Sequence, residues 1–84
     1  MKVIRVERDR YSFNKETYHE EELTGKTKEE CFLQFYNLNR HYRYCNDTFY
    51  KFKDEEDKLQ YDSWYKSLSE AQRFNMYYGN SIVD

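Results

Sequence analysis

The sequence predicts a small α+β domain in which an N-terminal β-hairpin is followed by a long central helix and two shorter helices. Three observations carry this prediction. β-Branched residues open the chain, a capped apolar stripe with helical spacing occupies its middle, and two further helix starts follow in its last third. No proline or low-complexity linker interrupts the 84 residues, so we expect residues 1–84 to form one compact domain.

The N-terminal segment predicts the hairpin. Residues 2–13 are rich in β-branched side chains at their start and predict a long strand. Residues 14–17 predict a turn, since the Asn that opens them can bond its own backbone, and residues 18–24 would return antiparallel. The alternative is a short helix over residues 15–23, capped by that Asn. The hairpin is favoured because the Gly-Lys-Thr at 25–27 is typical of a turn from strand to helix.

The central stretch, residues 27–45, carries the clearest helical pattern. Thr27 and Glu30 have the spacing of a capping box, so a helix should begin at Lys28. Apolar side chains then recur at spacings of four and three, which places them on one helix face. Acidic residues near its start and basic residues near its end both suit the helix dipole. The apolar face comprises Cys31, Phe35, Leu38, Tyr42 and Cys45, and is widened by Phe32, Leu33 and Tyr36.

A second helix follows. Residues 48–53 fit either a third short strand or a helical lead-in, and the sequence leaves both open. Four acidic residues at 54–57 predict the first turn of a helix that runs to about Ser67, because carboxylates stabilise helix N-termini. Its inner face should carry Tyr61, Trp64 and Leu68.

A third, short helix is predicted near the end of the chain. Ser69 and Gln72 form a second capping-box pair, and Gly79 suits the position after the helix C-terminus. Helical spacing places Ala71, Phe74 and Tyr78 on one face.

Composition indicates an aromatic core and a cytoplasmic protein. Leu, Ile, Val and Phe make up only sixteen residues, and ten Tyr and one Trp supply the remaining apolar mass. The two cysteines lie fourteen residues apart on one predicted helix. That separation is roughly 21 Å, too far for a disulfide, so we expect free thiols in a reducing compartment. With no apolar run long enough for a bilayer and no signal-peptide core after the first two residues, we expect no membrane contact.

Motifs for catalysis or cofactor binding fail on inspection. Gly25-Lys26-Thr27 resembles the end of a phosphate-binding loop, but the first Gly of that motif would fall at position 20, which is Glu. His41 and Cys45 offer two metal ligands at helical spacing, whereas zinc needs three or four. We therefore expect no metal, no cofactor and no enzymatic activity.

Two segments are candidates for binding a partner. Around residues 40–44, cations alternate with aromatic side chains, which are enriched at protein interfaces and also suit nucleic acids. A solvated helix end is the alternative explanation. The predicted contact residues are an exposed stripe of Tyr36, Arg40, Arg43 and Tyr44, with the acidic turn Asp54, Glu55, Glu56 and Asp57 as a second surface.

In its size and its Tyr-, Asp- and Lys-rich, proline-free composition, the chain resembles small proteins of Gram-positive phages and mobile elements. Many such proteins inhibit a host enzyme, including anti-CRISPR proteins and inhibitors of DNA-processing enzymes. The resemblance implies a host protein or ribonucleoprotein as partner and assigns no residue roles. The sequence thus predicts a non-enzymatic protein-binding module. The alternatives are an RNA- or single-strand-DNA-binding accessory protein using the same stripe, and a homodimer.

Overall fold

A computed structural model describes residues 1–9, 11–13, 15–42 and 47–78, without the side chains of residues 41 and 42. The fold is a small α+β domain with an N-terminal hairpin, as predicted. The central helix has 15 residues, only slightly more than the 13 of the helix after it, so "long" fits it loosely. The described elements are β1 (Lys2–Asp9), β2 (Lys15–Glu22), α1 (Lys28–Tyr42), β3 (Thr48–Phe52), α2 (Glu55–Ser67) and α3 (Glu70–Tyr77).

The strands form an antiparallel sheet in the order β2-β1-β3. β1 pairs with β2 from Lys2↔Glu22 to Asp9↔Lys15, which confirms the hairpin over the helical alternative. β3 pairs with the other edge of β1, so the segment that the sequence left open is a strand. A helix at residues 15–23 would have left one edge of β1 without its backbone hydrogen bonds.

The hairpin turn lies earlier than predicted. β1 ends at Asp9 and β2 begins at Lys15, inside the segment predicted to be the turn. The Asp9 carboxylate accepts a hydrogen bond from the Tyr11 backbone N–H at 2.9 Å, so Asp9 starts an Asx turn. Phe13 has a φ of 57°, a left-handed conformation that costs a residue with a Cβ roughly 1–2 kcal/mol. Asn14, the predicted turn opener, lies outside the described residues.

The core is aromatic and lies between the sheet and the helices. From α1, Cys31, Phe32 and Phe35 are buried, as the predicted stripe requires. Phe35 stacks on Phe52 of β3 with ring centroids 4.0 Å apart. The other end of that stripe, the side chains of residues 42 and 45, lies outside the part of the chain that the structure describes. Partly buried Leu38, Tyr61 and Trp64 pack against this cluster, which also contains Val3, Leu23 and Tyr50.

The two predicted capping boxes differ in outcome. At α3, Ser69 and Gln72 make both reciprocal hydrogen bonds, as predicted. At α1, the Glu30 N–H donates to the Thr27 hydroxyl at 3.1 Å, but the Glu30 carboxylate accepts from the Lys26 N–H instead of from Thr27. The α1 cap is therefore half of the predicted box. Gly79, predicted to follow α3, lies outside the described residues.

None of the helices in the described part of the chain is both long enough and apolar enough to cross a membrane.

Candidate functional site

Arg40 joins the C-terminal half of α1 to the end of α3. Its Nη1 donates to the backbone carbonyls of Met76 at 3.3 Å and Tyr77 at 2.9 Å. The last carbonyls of a helix lack partners within the helix and carry the negative end of its dipole. A guanidinium is well suited to them because its donors are planar and its charge is permanent. Arg40 thus caps α3, a helix that follows it by thirty residues or more.

Arg73 of α3 caps the C-terminal end of α2 in the same way. Its Nε and Nη2 donate to the carbonyl of Tyr65 at 3.3 and 3.2 Å, and Nη2 also donates to the carbonyl of Lys66 at 3.1 Å. The guanidinium carbon lies 5.0 Å from the centroid of the Tyr65 ring, within cation–π range. Tyr65 in turn stacks on Tyr36 of α1, with centroids 6.1 Å apart. These contacts link all three helices through side chains near the surface.

The outer face of α3 adds exposed aromatic side chains. Phe74 and Tyr78 are 61% and 62% exposed, and Tyr77 is 41% exposed. Their rings touch, with centroids 4.6 Å apart for Phe74 and Tyr78 and 5.0 Å apart for Tyr77 and Tyr78. The buried side of α3 is occupied by Met76. We call the combined surface the aromatic surface; it comprises Tyr36, Tyr65, Phe74, Tyr77 and Tyr78 with Arg40 and Arg73.

Two of the four residues predicted for the α1 stripe lie in the aromatic surface. Tyr36 and Arg40 are both half-buried, so the expectation of an exposed stripe is wrong for them. The reason is that α2 and α3 pack beside this part of α1 and supply the ring and the carbonyls that these side chains contact. Arg43 and Tyr44 lie outside the described residues.

The predicted acidic surface lies elsewhere. Asp54, Glu55 and Glu56 are exposed and Asp57 is half-buried, at the N-terminus of α2. Glu55 and Tyr65 are ten residues apart on the same helix, a distance of roughly 15 Å along its axis. The fold therefore does not bring the acidic turn together with the aromatic surface.

The acidic turn borders a groove between β3 and α2, with a volume of about 590 Å³. Aromatic side chains, including Phe52 and Tyr61, line this groove. Lys53 and Lys58 line it as well, close to Glu55. The groove therefore carries charges of both signs.

Burial governs the titration of the phenol at the centre of the helical layer. Desolvation raises the pKa of Tyr61 above its ordinary value, and the nearby phenols of Tyr65 and Tyr36 act in the same direction. The phenol therefore stays neutral throughout the physiological range. It contributes packing and polarity here, and it is a poor proton donor or acceptor for catalysis at neutral pH.

A polar cluster lies on the helix-facing side of the sheet, beyond the apolar core. Arg5 Nη1 lies 3.1 Å from a Glu21 carboxylate oxygen, and the Tyr50 hydroxyl donates to the other oxygen at 3.2 Å. His19 Nε2 lies 3.7 Å from Glu7, which also approaches Arg5. Arg5 thus counters the negative charge of both carboxylates. No group of three or more His, Cys, Asp or Glu able to hold a metal occurs among the described residues.

The sequence did not identify Tyr65, Arg73, Phe74 or Tyr77 as surface residues of one site. Phe74 and Tyr78 were correctly placed on one face of a helix, but helical spacing does not show which face is buried. The sequence did contain one signal that some of these rings are exposed. Apart from its aromatic residues, α3 has few apolar side chains, and a helix of eight residues cannot bury both of its sides.

Comparison with protein-family models, with curated proteins and with solved structures finds no match to this chain.

Proposed function

We propose that this chain is a non-enzymatic protein-binding module and that the aromatic surface is its main contact site. One observation carries the proposal: the rings of Phe74, Tyr77 and Tyr78 form an exposed cluster at the end of α3 that the core does not use. Tyr, Phe and Arg are the residue types enriched at protein interfaces, where rings supply area and polar tips supply hydrogen bonds. The rings at the end of α3 are the expected anchors.

The positions of the two arginines favour a protein partner over nucleic acid at this surface. Arg40 and Arg73 both direct guanidinium N–H groups to backbone carbonyls, so part of their hydrogen-bonding capacity is spent within the fold. Arg73 also packs on the face of the Tyr65 ring, which restricts the positions that this ring can take before binding. Pre-organised aromatic side chains lose little entropy on binding, which raises affinity for a matching protein surface.

The finer part of the proposal concerns the partner's identity. We propose a host DNA-processing or CRISPR defence enzyme that this chain inhibits, acting in the cytoplasm. This part is supported by the resemblance in size and composition to small phage and mobile-element proteins. It is also supported by the prediction of free thiols, which are typical of a reducing compartment.

The experiment that tests the function is affinity capture of the tagged protein from a bacterial host lysate, with and without nuclease. The test variant is Phe74→Ala with Tyr78→Ala, and the matched control is Leu59→Ala, whose side chain is equally exposed on α2. We expect one protein captured near one-to-one, insensitive to nuclease, lost with the test variant and retained with the control. Loss of captured material after nuclease treatment would overturn the proposal. Inhibition is then measured on the purified partner.

A second candidate function is nucleic-acid binding on the helix-free face of the sheet. Tyr18 and Phe49 are 56% and 40% exposed there, and Lys51 Nζ lies 5.3 Å from the Tyr18 ring centroid. Exposed aromatic and basic side chains on a sheet can stack on bases and neutralise phosphates. Glu16 and Glu20 pair with cations on this face, which argues against it. Binding of a labelled oligonucleotide that weakens steeply as salt rises would support it.

A homodimer through the aromatic surface is the third possibility. Sedimentation equilibrium of the wild type and of the Phe74→Ala, Tyr78→Ala variant distinguishes it. A monomeric wild-type protein would exclude it at the concentrations measured.

A further inference from the structure

The hairpin extends beyond the third strand of the sheet. Pairing of β1 with β3 ends at Glu7↔Thr48, followed by a hydrogen bond from the Arg8 N–H to the Asp47 carbonyl at 2.6 Å. Pairing of β1 with β2 continues to Asp9↔Lys15. The end of the hairpin is thus a two-stranded ribbon. We call its turn, residues 11–13, the hairpin tip.

The hairpin tip presents two large aromatic side chains to solvent. Tyr11 and Phe13 have relative exposures of 99% and 101%, so neither ring gains anything from burial in the fold. Surface tips are normally built from small polar residues, and two unburied rings are unusual there. A narrow ribbon that ends in two rings is convex, so it fits a concave site.

The backbone at the tip is held in a conformation that its residue does not favour. Phe13 adopts φ 57°, which glycine or asparagine would adopt with less strain. Hairpin loops often contain one left-handed residue, usually Gly, and a strained residue of another type at such a position is typical of functional sites. A phenylalanine at this position therefore sacrifices stability while presenting a ring that the fold does not use.

Short-range hydrogen bonds hold the tip in place. The Ser12 N–H donates to the Asp9 carbonyl at 3.3 Å, and the Lys15 N–H donates to the Ser12 carbonyl at 3.1 Å. Across the ribbon, Arg8 Nη2 pairs with the Glu16 carboxylate at 2.9 Å. A tip ordered in this way presents its rings at low entropic cost.

We propose that the hairpin tip inserts the rings of Tyr11 and Phe13 into an apolar pocket on a partner protein, as a contact separate from the aromatic surface. The inference rests on the proposed function in taking the partner to be a protein. Charge favours this partner over a nucleic acid or an anionic membrane. Between positions 8 and 16 the sequence has three basic and two acidic residues, and Glu16 already neutralises Arg8. Polyanions are bound by concentrated, unpaired cations.

The decisive variant is Phe13→Gly, because the proposal predicts opposite effects on folding and binding. Glycine relieves the left-handed strain, and part of this gain is offset by the greater entropy of glycine in the unfolded chain, so the melting temperature should rise by about 2–5 °C. Removal of the ring should lower the affinity for the purified captured protein by about tenfold or more. Phe13→Tyr is the matched control, since it keeps both the ring and the strain. It should leave both quantities unchanged.

The site of contact is mapped with the photocrosslinking residue p-benzoylphenylalanine in place of Tyr11. This variant is irradiated in the bacterial lysate. In separate experiments it is irradiated with a single-stranded oligonucleotide and with vesicles of phosphatidylcholine and phosphatidylglycerol. The proposal is supported if the probe crosslinks the same protein at apolar residues of a concave site and Phe13→Gly weakens binding to it. Crosslinking only to oligonucleotide or lipid, no crosslinked protein, or unchanged affinity of Phe13→Gly would each overturn it. The two proposals can be overturned separately. If binding is lost with Phe74→Ala and Tyr78→Ala but retained with Phe13→Gly, only the proposal for the hairpin tip is overturned.

Discussion

Arg40 donates a hydrogen bond from Nη1 to the backbone carbonyl of Tyr77 at 2.9 Å, so that a side chain of α1 closes the C-terminal end of α3. A second hydrogen bond from the same atom reaches the carbonyl of Met76. Together with buried Met76, this contact holds the end of α3, which carries the exposed rings, against α1. Arg40 therefore shapes the aromatic surface whether or not it touches a partner.

Replacement of Arg40 should destabilise the fold. We expect Arg40→Ala to lower the free energy of unfolding by about 1 to 2 kcal/mol, since charged hydrogen bonds to two carbonyls are lost at a partly exposed site. Arg40→Lys should recover part of this, because the charge near the helix terminus remains. Urea unfolding measures both, with exposed Lys58→Ala as the control. Unchanged stability combined with lost partner binding would instead make Arg40 a direct contact residue.

Asn39 protects the outer edge of β3. Its side-chain amide accepts from the Tyr50 N–H at 2.8 Å and donates to the Tyr50 carbonyl at 3.3 Å, as a neighbouring strand would. Asn39→Ala should lower the free energy of unfolding by about 1–3 kcal/mol, because two backbone groups lose their hydrogen-bond partners. It should also increase self-association, because an uncovered edge strand can pair with another chain. Thermal unfolding and sedimentation velocity test this, with Asn37→Ala on the same helix as the control.

Gly25 is required by a close approach of the backbone. A Cβ at this position would lie 2.7 Å from the Cys31 backbone nitrogen and 2.9 Å from the Glu30 carbonyl carbon. Neither atom can move without shifting the first turn of α1, so Gly25→Ala should destabilise the fold by about 1–3 kcal/mol. Denaturant titration should show this loss, while Lys26→Ala, at the exposed neighbouring position, should be nearly neutral. Equal stability of both variants would show that the turn can relax.

Acid should weaken the sheet through Glu20. Its hydrogen bond and ion pair with Lys53 lower the pKa of the carboxyl from the ordinary 4.5. A carboxyl whose pKa is lower in the folded state than in the unfolded state stabilises the fold at pH values above its unfolded-state pKa. This contribution is lost as the pH falls through its folded-state pKa. Wild type should therefore melt at a slightly higher temperature than Glu20→Gln at about pH 6, and the difference should vanish well below pH 4.5. A constant difference across this range would rule out the linkage.

Elements whose signals are local could be predicted from the sequence. The Ser69–Gln72 capping box and the buried spacing of Cys31 and Phe35 depend only on neighbours within one or two helical turns. The hairpin turn was misplaced because two turn-forming residues, Asp9 and Asn14, compete within a few positions. The sequence alone does not show which of them opens the turn.

The candidate site could be predicted only in part for a related reason. Tyr36 and Arg40 were selected for their residue types, and both lie in the aromatic surface, but their partners are on other helices. Arg73 was not selected at all, because no local pattern indicates that it caps the helix before its own.

By itself, the sequence determined the type of most elements, the aromatic character of the core and the caps that start α1 and α3. These follow from caps and from the spacing of apolar side chains, which act over a few residues. Only the tertiary structure decided that β3 is a strand, that Arg40 closes α3, and that Phe74 and Tyr78 face outward. Each of these depends on which groups meet across long sequence separations, where burial and hydrogen bonding outweigh local preference.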